Sequence, residues 1–503
     1  MRLAELLCPL AAAADAGAAL PPDTAQRTAL IAIGIGRQLG MPSAQLSNLL
    51  YASLLRHIGC SATAHEETRL MGDEQELRSS MTGVDAASPV ELFKGAARGF
   101  AKGRSRLQRA RSVGNFMLRA PVAVPRIFAA RCEVSVRLAE RLGFGEEVLR
   151  ALDETYERFD GKGVPHRKRG ATLGRTSTVL AVAESVASFV RLPGGEALAF
   201  ETLRKRAGGE FDPSVVLALN AARDEIVGPA RRDAPLSTLL ELEPAPRRYV
   251  QDPKGVALVL ADFADMKSTF TLGHSRRVAS LARRAAQRLG ASDAELEALE
   301  LAGLLHDLGR ISVSNAIWDK PGPLDRGEWE KVHAHPQFTE RVLSIAEPFA
   351  ELARLASADH ERMDGGGYPR GAAPTCLQRV LAAADLVQAL LEPRPHRPAH
   401  SAELAAKIAV SEANAGRLDS RAVNAVLEVL GQSTLRANSP EGLTEREIQV
   451  LKLLAQGFVD KEIATKLGIS HRTVHHHNQS IFSKLGVTTR SAAALFAVEN
   501  ALL

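Results

Sequence analysis

Histidine and aspartate side chains at helix ends mark the part of this 503-residue chain where chemistry is expected. The stretch 304–310, LLHDLGR, places His306 and Asp307 side by side after an apolar run and before a glycine. Neutral imidazole and carboxylate are ligands that suit divalent metals such as Mn, Fe and Zn. Adjacent on one helical turn, the two side chains point at different angles, so they can serve one metal or bridge two. With 14 His in the chain, a His-Asp pair is expected roughly once by chance, so the prediction of a metal site depends on the residues that accompany it.

Further His and Asp residues, each at the rim of a predicted helix, continue this pattern over about 110 residues. His274, for example, begins a segment with the helical apolar period of Val278, Leu281 and Ala285. One such His is more often an ordinary core or surface residue, but a series in this order is hard to dismiss. The candidate metal ligands are His274, His306, Asp307, His335, His360 and Asp385.

The composition predicts two to four helical domains, because 503 residues exceed what one core can hold. Hydrophobic and charged contents of 45% and 24% are typical of globular proteins. Aromatic residues make up only 4%, while Ala, Arg and Leu dominate, which favours helices. The net charge of +5 and the isoelectric point near 9.1 fit a polyanionic partner.

Cysteine spacing and apolar runs predict a cytoplasmic protein without a membrane segment. The four cysteines form no CxxC pair, which is typical of reduced thiols. Glu5 and Asp15 interrupt the first apolar stretch, which excludes a signal peptide. No apolar run reaches the roughly 18 residues that a membrane helix needs.

The first half of the chain repeats the second. Residues 24–60 align without a gap onto 274–310, and residues 157–165 (ERFDGKGVP) align onto 361–369 (ERMDGGGYP). We interpret this as an internal duplication. The first half also carries a basic insertion near 94–126 that contains no acidic residue. Such a run could bind phosphate or an acidic partner, or it could be a solvated basic segment.

The two copies differ where chemistry is expected. Arginines stand at two of the ligand positions in the first copy and would repel a cation, which predicts a metal-free pseudo-domain. Glu184 alone keeps a carboxylate, opposite Asp385. The residues opposite the other candidate ligands are Thr24, Arg56, His57, Arg131 and Tyr156.

The order His, His-Asp, His, His, Asp resembles the HD superfamily of metal-dependent phosphohydrolases. Gly367-Tyr368-Pro369, and the stretch 319–324 (DKPGPL), narrow the resemblance to the HD-GYP group. It covers about 255–400 well and about 20–210 in degenerate form. The resemblance implies an all-helical fold and a site of two or three metals, at which many members hydrolyse the cyclic dinucleotide c-di-GMP.

By this resemblance, His274, His306, Asp307 and Asp385 hold one of two divalent ions (Mn, Fe or similar), and Asp307 bridges to a second held by His335 and His360. Asp307 and Arg310 would take part in catalysis. Two such metals can share a hydroxide and neutralise charge on phosphate. Where the family has a Lys that can touch phosphate, this sequence has Arg310. Where the family usually has a His, this sequence has Asp359, which is a further possible metal ligand. Phe270 cannot ligate, so we expect a binuclear site at most.

Three more residues are candidate ligand contacts, each with an alternative. Arg394 and Arg397 could clamp a second phosphate or merely cover the surface. Tyr368 could stack on a guanine or only pack, and the resemblance favours stacking.

The C-terminal segment has the pattern of a helix-turn-helix. Thr444 and Glu447 form a capping-box pattern, and glycines end the first two predicted helices. The stretches 443–447 (LTERE) and 484–487 (KLGV) resemble the LuxR-type DNA-binding domain. The resemblance implies that the helix 471–485 enters the major groove. The expected DNA contacts are Lys461, Arg472, Thr473, His475, His476, Asn478 and Lys484.

Dimer formation is expected through a last helix that begins at Arg490. Its apolar residues Ala493, Leu495, Val498 and Leu502 suit contact between two copies. The C-terminal segment contains seven Lys or Arg residues and six Asp or Glu residues, so its net charge is small. DNA affinity should therefore be modest, sensitive to salt and dependent on dimerisation.

The chain is thus predicted to be all-α: two tandem HD-type domains and a four-helix LuxR-type domain. The expected boundaries are 1–245, 246–432, a linker at 433–442, and 443–503. The leading hypothesis is a transcriptional regulator whose second HD copy binds metal and senses or hydrolyses a phosphodiester such as a cyclic dinucleotide. The alternative is an active metal-dependent c-di-GMP-type phosphodiesterase in which DNA binding is secondary.

Overall fold

The computed structural model describes residues 1–100, 105–190, 194–233, 235–431, 443–500 and 502–503. The predicted linker 433–442 lies outside these residues, as do residues 101–104 of the basic insertion. The chain divides into two compact units, Met1–Pro253 and Lys254–Leu503.

The first unit contains the degenerate copy. Two short 3-10 turns, Ser61–Thr63 and Gly170–Thr172, follow its third and eighth helices, and a third one, Gly228–Arg231, follows the twelfth. The helices of this unit are α1 (Leu3–Gly17), α2 (Thr24–Gln38), α3 (Ser43–Leu55), α4 (Ala64–Met71), α5 (Glu74–Met81), α6 (Pro89–Gly99), α7 (Arg106–Arg141), α8 (Glu146–Asp153), α9 (Arg175–Ala187), α10 (Gly195–Arg206), α11 (Pro213–Ala221), α12 (Arg223–Val227) and α13 (Pro235–Leu242).

The second unit contains the second copy and the C-terminal segment. A 3-10 turn, Leu308–Ser312, follows its third helix. The helices of this unit are α14 (Lys254–Asp265), α15 (His274–Arg288), α16 (Asp293–Leu305), α17 (Asn315–Trp318), α18 (Arg326–His333), α19 (His335–Leu343), α20 (Glu347–Ala356), α21 (Cys376–Leu391), α22 (Ala402–Asn414), α23 (Ser420–Leu430), α24 (Glu445–Ala455), α25 (Asp460–Leu467), α26 (His471–Leu485) and α27 (Arg490–Glu499).

Helix bounds repeat between the two copies. Helices α2 and α15 begin and end at residues that the sequence alignment pairs, and so do α3 and α16. A glycine contact repeats as well: a Cβ on Gly59 would lie 2.0 Å from the carbonyl oxygen of Arg131, and a Cβ on Gly309 would lie 1.9 Å from that of His335. Any side chain at either glycine would therefore collide with the neighbouring helix. The shared glycines hold the fold in both copies.

The prediction of an all-α chain is confirmed, since the described residues form helices and short 3-10 turns and contain no strand. Most of these helices are short because capping residues and glycines delimit them. Ser292 begins α16 with a capping box, for example, and its side chain accepts from the backbone N–H of Glu295. Among the described residues, no helix is both long and apolar enough to cross a membrane.

The insertion of the first copy is helical and presents basic and apolar side chains to solvent. It contributes α6 and the first half of α7, a helix of 36 residues. Arg111 and Arg119 are exposed on α7, and Leu118 is 82% exposed beside them. Phe116 of the same helix packs inward against Phe100, which anchors α7 to the unit.

Candidate metal centre and DNA-binding module

Five of the six predicted ligands of the second copy lie at or just beyond the ends of helices, and the sixth lies within a helix. His274 is the first residue of α15, His306 caps the C-terminus of α16, and His335 is the first residue of α19. Asp385 lies within α21, and His360 follows α20. Helix α15 packs against both α16 and α21, so side chains more than 100 residues apart in sequence reach one place.

All six predicted ligands are brought together, and Asp359 joins them. Three groups of side chains have ligand atoms within 4.8 Å of one another. The His274 Nε2 lies 3.1 Å from Oδ1 of Asp385, and the His335 Nε2 lies 3.7 Å from Oδ1 of Asp307. The groups are His274, His306 and Asp385; His306, Asp307 and Asp359; and His335, Asp359 and His360.

Several polar atoms at the centre of this cluster are buried and make no hydrogen bond. They include both carboxylate oxygens of Asp359, which is fully buried, and Nε2 of His306 and of His335. Buried polar atoms are nearly always paired, so such a group requires an explanation. Imidazole nitrogens and carboxylate oxygens that converge in this way fit divalent cations. The residues present therefore suit the metals that the sequence predicts.

The imidazoles of the cluster differ in protonation. Despite burial, neighbouring carboxylates raise the pKa of His274 to about 9 and that of His306 to about 10, so a cation must displace a proton from each. Burial lowers the pKa of His335 to about 4 and that of His360 to about 3, so both imidazoles are neutral at physiological pH. Burial raises the pKa of Asp359 to about 8, with Asp385 and Asp307 adding repulsion. Positive charge near these carboxylates would favour the ionised form of Asp359.

Outer hydrogen bonds orient three of the imidazoles. The Nδ1 of His306 donates to the carbonyl oxygen of Gly303 at 2.8 Å, and the Nδ1 of His335 donates to that of Val332 at 2.6 Å. The Nδ1 of His274 donates to the Glu392 carboxylate at 2.8 Å. Each bond leaves Nε2 directed toward the cluster, as metal-binding histidines require.

Glu392 is a site residue that the sequence analysis missed. One of its oxygens also binds Arg277 at 2.8 Å, and the other lies 3.3 Å from Arg394. Asp265 was missed too; it accepts hydrogen bonds from the backbone and hydroxyl of Ser275 at 2.8 and 2.7 Å. The only available signal for Asp265 was the duplication, in which Asp15 keeps the same residue type.

Arg310 lies at the rim of the cluster, where a phosphate-binding cation was expected. Its guanidinium lies 3.4 Å from Oδ2 of Asp307 and 3.8 Å above the Trp318 ring. The Trp318 indole N–H donates to the Arg310 carbonyl at 3.0 Å, so the tryptophan holds both the backbone and the side chain of Arg310. A guanidinium held in this way can meet phosphate oxygens at the cluster without free rotation.

The two arginines expected to clamp phosphate differ from each other. Arg394 lies near the cluster, but its side chain donates to the carbonyl oxygen of Phe270 at 2.9 Å and pairs with Glu392. The Arg397 guanidinium donates to the backbone carbonyls of Ala389, Leu390, Glu392 and Pro398, which favours a structural role, and the phosphate clamp stays a prediction for this residue. Arg397 therefore fixes the turn after α21.

Aromatic rings cover both faces of Tyr368 in this structure. His333 stacks on it with ring centroids 4.2 Å apart, and His360 stacks on it with centroids 4.7 Å apart. The ring contacts favour the packing alternative for Tyr368, which lies against the ligand candidate His360, and guanine stacking at this residue stays a prediction.

In the first copy, ion pairs occupy the equivalent place. Arg56 pairs with Glu184, and the His57 Nε2 lies 2.8 Å from the same carboxylate. Arg131 binds Glu67 at 2.5 Å. These guanidinium groups bring permanent positive charge to positions where the second copy has imidazoles, which can lose a proton and bind a metal. The arrangement supports the hypothesis of a metal-free copy, which stays a prediction.

The C-terminal segment forms the expected helix-turn-helix from α24 to α27. Gly468 ends α25 with a φ of +63°, and Ser470 caps α26 by accepting from the backbone N–H of Thr473 at 3.0 Å. Helix α26 exposes a polar face toward solvent, and α25 exposes Lys461. The exposed members of the predicted DNA contacts are Lys461, Arg472, Thr473, His475 and His476.

Two expected DNA contacts are engaged within the protein. Asn478 is 8% exposed, and its amide donates to Asp460 at 2.8 Å. In this structure the Asn478 side chain ties α26 to α25, and its contact with DNA stays a prediction. Lys484 binds both oxygens of Glu447 at 2.9 and 2.7 Å, so its charge is already paired.

Helix α27 is buried on all its faces. Every residue from 491 to 498 is buried, whereas a helix with one neighbour would expose a polar side. It packs on α24 and α26, and Cγ1 of Val498 also lies 3.6 Å from where a Cβ on Gly273 would stand. The expected dimer surface is thus covered within the chain in this conformation. It comprises Ala493, Leu495, Val498 and Leu502.

The fold and the candidate cluster are those of an HD-type domain joined to a helix-turn-helix domain, and comparisons with known proteins agree. The family described as HD domain matches residues 258–422, and the luxR family of bacterial regulatory proteins matches residues 441–497. The 3'3'-cGAMP-specific phosphodiesterase 3 of Vibrio cholerae serotype O1 is 30% identical over 423 residues, which cover 82% of this chain and 91% of the relative. The chain belongs to the HD-GYP family.

Other comparisons cover parts or most of the chain. The transcriptional regulatory protein LiaR of Bacillus subtilis is 38% identical over 103 residues, or 20% of this chain and 49% of LiaR. The cyclic di-GMP phosphodiesterase response regulator RpfG of Xanthomonas campestris is 34% identical over 174 residues, or 33% of this chain and 46% of RpfG. The crystal structure of V-cGAP3, a cyclic GMP-AMP-specific phosphodiesterase of V. cholerae, matches with a TM-score of 0.60 and 26% identity, covering 86% of this chain and 98% of that one.

Proposed function

We propose that this chain is a transcriptional regulator that binds double-stranded DNA as a homodimer. Its second HD copy binds two divalent metal ions and a phosphodiester such as a cyclic dinucleotide, and this ligand controls DNA binding. The relatives support both halves of the proposal, since they include cyclic dinucleotide phosphodiesterases and a transcriptional regulator.

The contact between α27 and the start of α15 carries the proposal. Val498 packs on Gly273, the residue before the ligand candidate His274. The Arg276 guanidinium forms an ion pair with Asp262, and the negative charge of Glu499 also contributes to raising the pKa of Arg276. The DNA-reading domain therefore touches the helix that begins at the metal cluster, through its last helix.

A short path joins this contact to the cluster. Arg277 lies one turn from Gly273 and binds Glu392, which accepts from Nδ1 of His274. A change at His274 on ligand binding would alter this path and the surface on which α27 rests. Release of α27 would uncover its apolar face for a second copy, which fits dimerisation coupled to DNA binding.

The chain's residues suit a phosphodiester ligand. His274, His306, Asp307 and Asp385 would hold one ion, and His335, His360 and Asp359 would hold the other with Asp307 between them. Bound there, such ions lower the pKa of water and neutralise phosphate charge. Arg310, held by Trp318, would orient a phosphate oxygen at the rim. Burial of the cluster excludes bulk water from the ligands.

A charge reversal on α27 tests the control of DNA binding. Glu499→Arg places a cation opposite Arg276, so we expect α27 to separate and affinity for DNA to rise. The probe is a duplex enriched from a random-sequence library with the full wild-type chain, followed by fluorescence anisotropy with and without Mn²⁺ and 3'3'-cGAMP.

Glu445→Arg is the matched control, since it adds the same charge to an exposed site of the same domain. We expect the Glu499 variant, and not the control, to bind DNA more tightly and to lose its response to ligand. Equal affinities and equal ligand responses in the two variants would contradict the proposed control.

The intact ligand set favours a second candidate function, an active phosphodiesterase. Hydrolysis of c-di-GMP and 3'3'-cGAMP by the Mn- or Fe-loaded chain, compared with the double variant His306→Ala and Asp307→Ala, decides this point. Turnover that is lost in the variant identifies an enzyme coupled to a DNA reader. Absence of turnover in a metal-loaded chain that still binds the nucleotide identifies a sensor.

A further inference from the structure

A row of aromatic rings leads from solvent to the metal cluster. Trp329 and His333 lie four residues apart at the end of α18, with ring centroids 5.4 Å apart. His333 stacks on Tyr368 at 4.2 Å, and Tyr368 stacks on His360 at 4.7 Å. His360 is one of the candidate metal ligands. The outer two rings have no part in the ligand set described above.

The outer rings are exposed rather than buried in the core. Trp329 is 47% exposed, and His333 is exposed beside it. The small apolar core under this region contains Val313, Ile317 and Val332, with Trp318 and Leu324 packed on it, and Trp329 is absent from this cluster. The indole of Trp329 therefore presents a large apolar surface to solvent next to a polar site.

We propose that Trp329 and His333 form the surface on which a purine base of the ligand stacks while a phosphate of the same molecule lies at the metal cluster. This rests on the proposed function, because it assumes a nucleotide phosphodiester. Every base has a π face, and stacking on an exposed aromatic ring is a common way to hold one. Tyr368 supports the platform from beneath, since both of its faces are already covered.

The platform distinguishes a dinucleotide from a simple phosphate ester. A ligand without a base would gain the metals and Arg310 only. A ligand with a purine would gain the indole and imidazole surface as well, which is worth about 10- to 100-fold in affinity per stacked base. Trp329 and His333 are thus specificity-determining residues.

Calorimetry on the Mn-loaded full chain tests this assignment. The probes are 3'3'-cGAMP, c-di-GMP and inorganic phosphate, which has no base. We expect Trp329→Ala and His333→Ala to weaken the binding of a cyclic dinucleotide about 10- to 100-fold and to leave phosphate affinity and metal content unchanged. Trp329→Phe should restore most of the affinity, because it keeps an aromatic face. Phe93→Ala, at an exposed aromatic residue of α6, is the control.

Fluorescence gives a second readout, because the chain has only two tryptophans. The emission of Trp329 is the part of the wild-type signal that is absent from the Trp329→Phe variant, and we expect the cyclic dinucleotide to quench this part. If wild type binds the nucleotide and the Trp329 and His333 variants bind it equally well, the platform is overturned while the proposed function stands. If wild type binds phosphate and neither cyclic dinucleotide, both the platform and the proposed ligand are overturned.

Discussion

Glu392 accepts a hydrogen bond from Nδ1 of His274 at 2.8 Å, across 118 residues of sequence. The carboxylate thereby sets which imidazole nitrogen faces the metal cluster. Its other oxygen receives Arg277 at 2.8 Å and the Gln388 amide at 2.8 Å, so its position is determined from two sides. Paired cations and these donors hold the pKa of Glu392 well below its usual range against the effect of burial, and it is a fixed negative charge at the cluster.

Glu392→Gln should lower the affinity of the second copy for Mn²⁺ about 10- to 100-fold, because the amide orients His274 less well and removes a negative charge. The measurement is metal binding by calorimetry. Glu330→Gln, on the surface of α18, is the control and should leave metal affinity unchanged. Equal affinities for wild type and Glu392→Gln would show that Glu392 does not orient the ligand.

In the first copy, Glu67→Gln should destabilise the protein by about 3–5 kcal/mol. Glu67 is buried and binds both Arg78 and Arg131, and these arginines lower its pKa to about 2 in spite of burial. Loss of the carboxylate charge would leave two buried guanidinium groups without compensation. Urea unfolding of the full chain measures the change, with the exposed neighbour Glu66→Gln as control. A similar small effect from both variants would refute the structural role of this ion network.

The stability of the C-terminal helix-turn-helix domain should fall at acid pH through Glu447. Burial opposes ionisation, but hydrogen bonds from Lys484, Ser480 and Thr444 lower the pKa of Glu447 to about 2, below its ordinary 4.5. The folded state therefore binds fewer protons, so the stabilisation is complete above about pH 4.5 and is lost as pH falls toward 2.

Glu447→Gln should cost about 1–3 kcal/mol at neutral pH, since Lys484 loses its charged partner. Calorimetric unfolding of the full chain should show a gap in Tm between wild type and variant that narrows from pH 5 to pH 2.5. Glu445→Gln, at an exposed neighbour, should show no such gap. A gap for Glu447→Gln that stays constant with pH would contradict the depressed pKa.

Variants at residues that contact bases and variants at residues that contact phosphates should change DNA binding in different ways. Arg472 is exposed at the start of α26, so Arg472→Ala together with Thr473→Ala should cost about 1–3 kcal/mol on the selected duplex and relax specificity at single base pairs. Lys461→Ala should weaken binding to all sequences alike and reduce the salt slope by about 1. Anisotropy titrations at several salt concentrations measure both. Unchanged sequence preference in the Arg472 and Thr473 variant would mean that α26 is not the recognition helix.

The sequence by itself determined which residues are candidate ligands and where many helices begin and end. Metal chemistry restricts ligands to a few residue types. Because the chain contains a duplication, each candidate ligand can also be compared with the residue at the same position of the first copy, where most ligands are replaced. Helix ends are local as well, because a cap such as Ser292 or Thr444 acts on backbone groups within one turn. The correspondence of α2 with α15 follows from this locality.

Only the tertiary structure decided the partners of these side chains. Glu392 meets His274, and Lys484 meets Glu447, through helix packing that no local pattern encodes. The stacking of Tyr368 between two imidazoles likewise depends on segments that come together only in the folded chain. Burial of α27 on all faces also depends on tertiary packing. Its apolar pattern is compatible with contact to a second copy and with contact to the start of α15, and the packing of the folded chain selects the second.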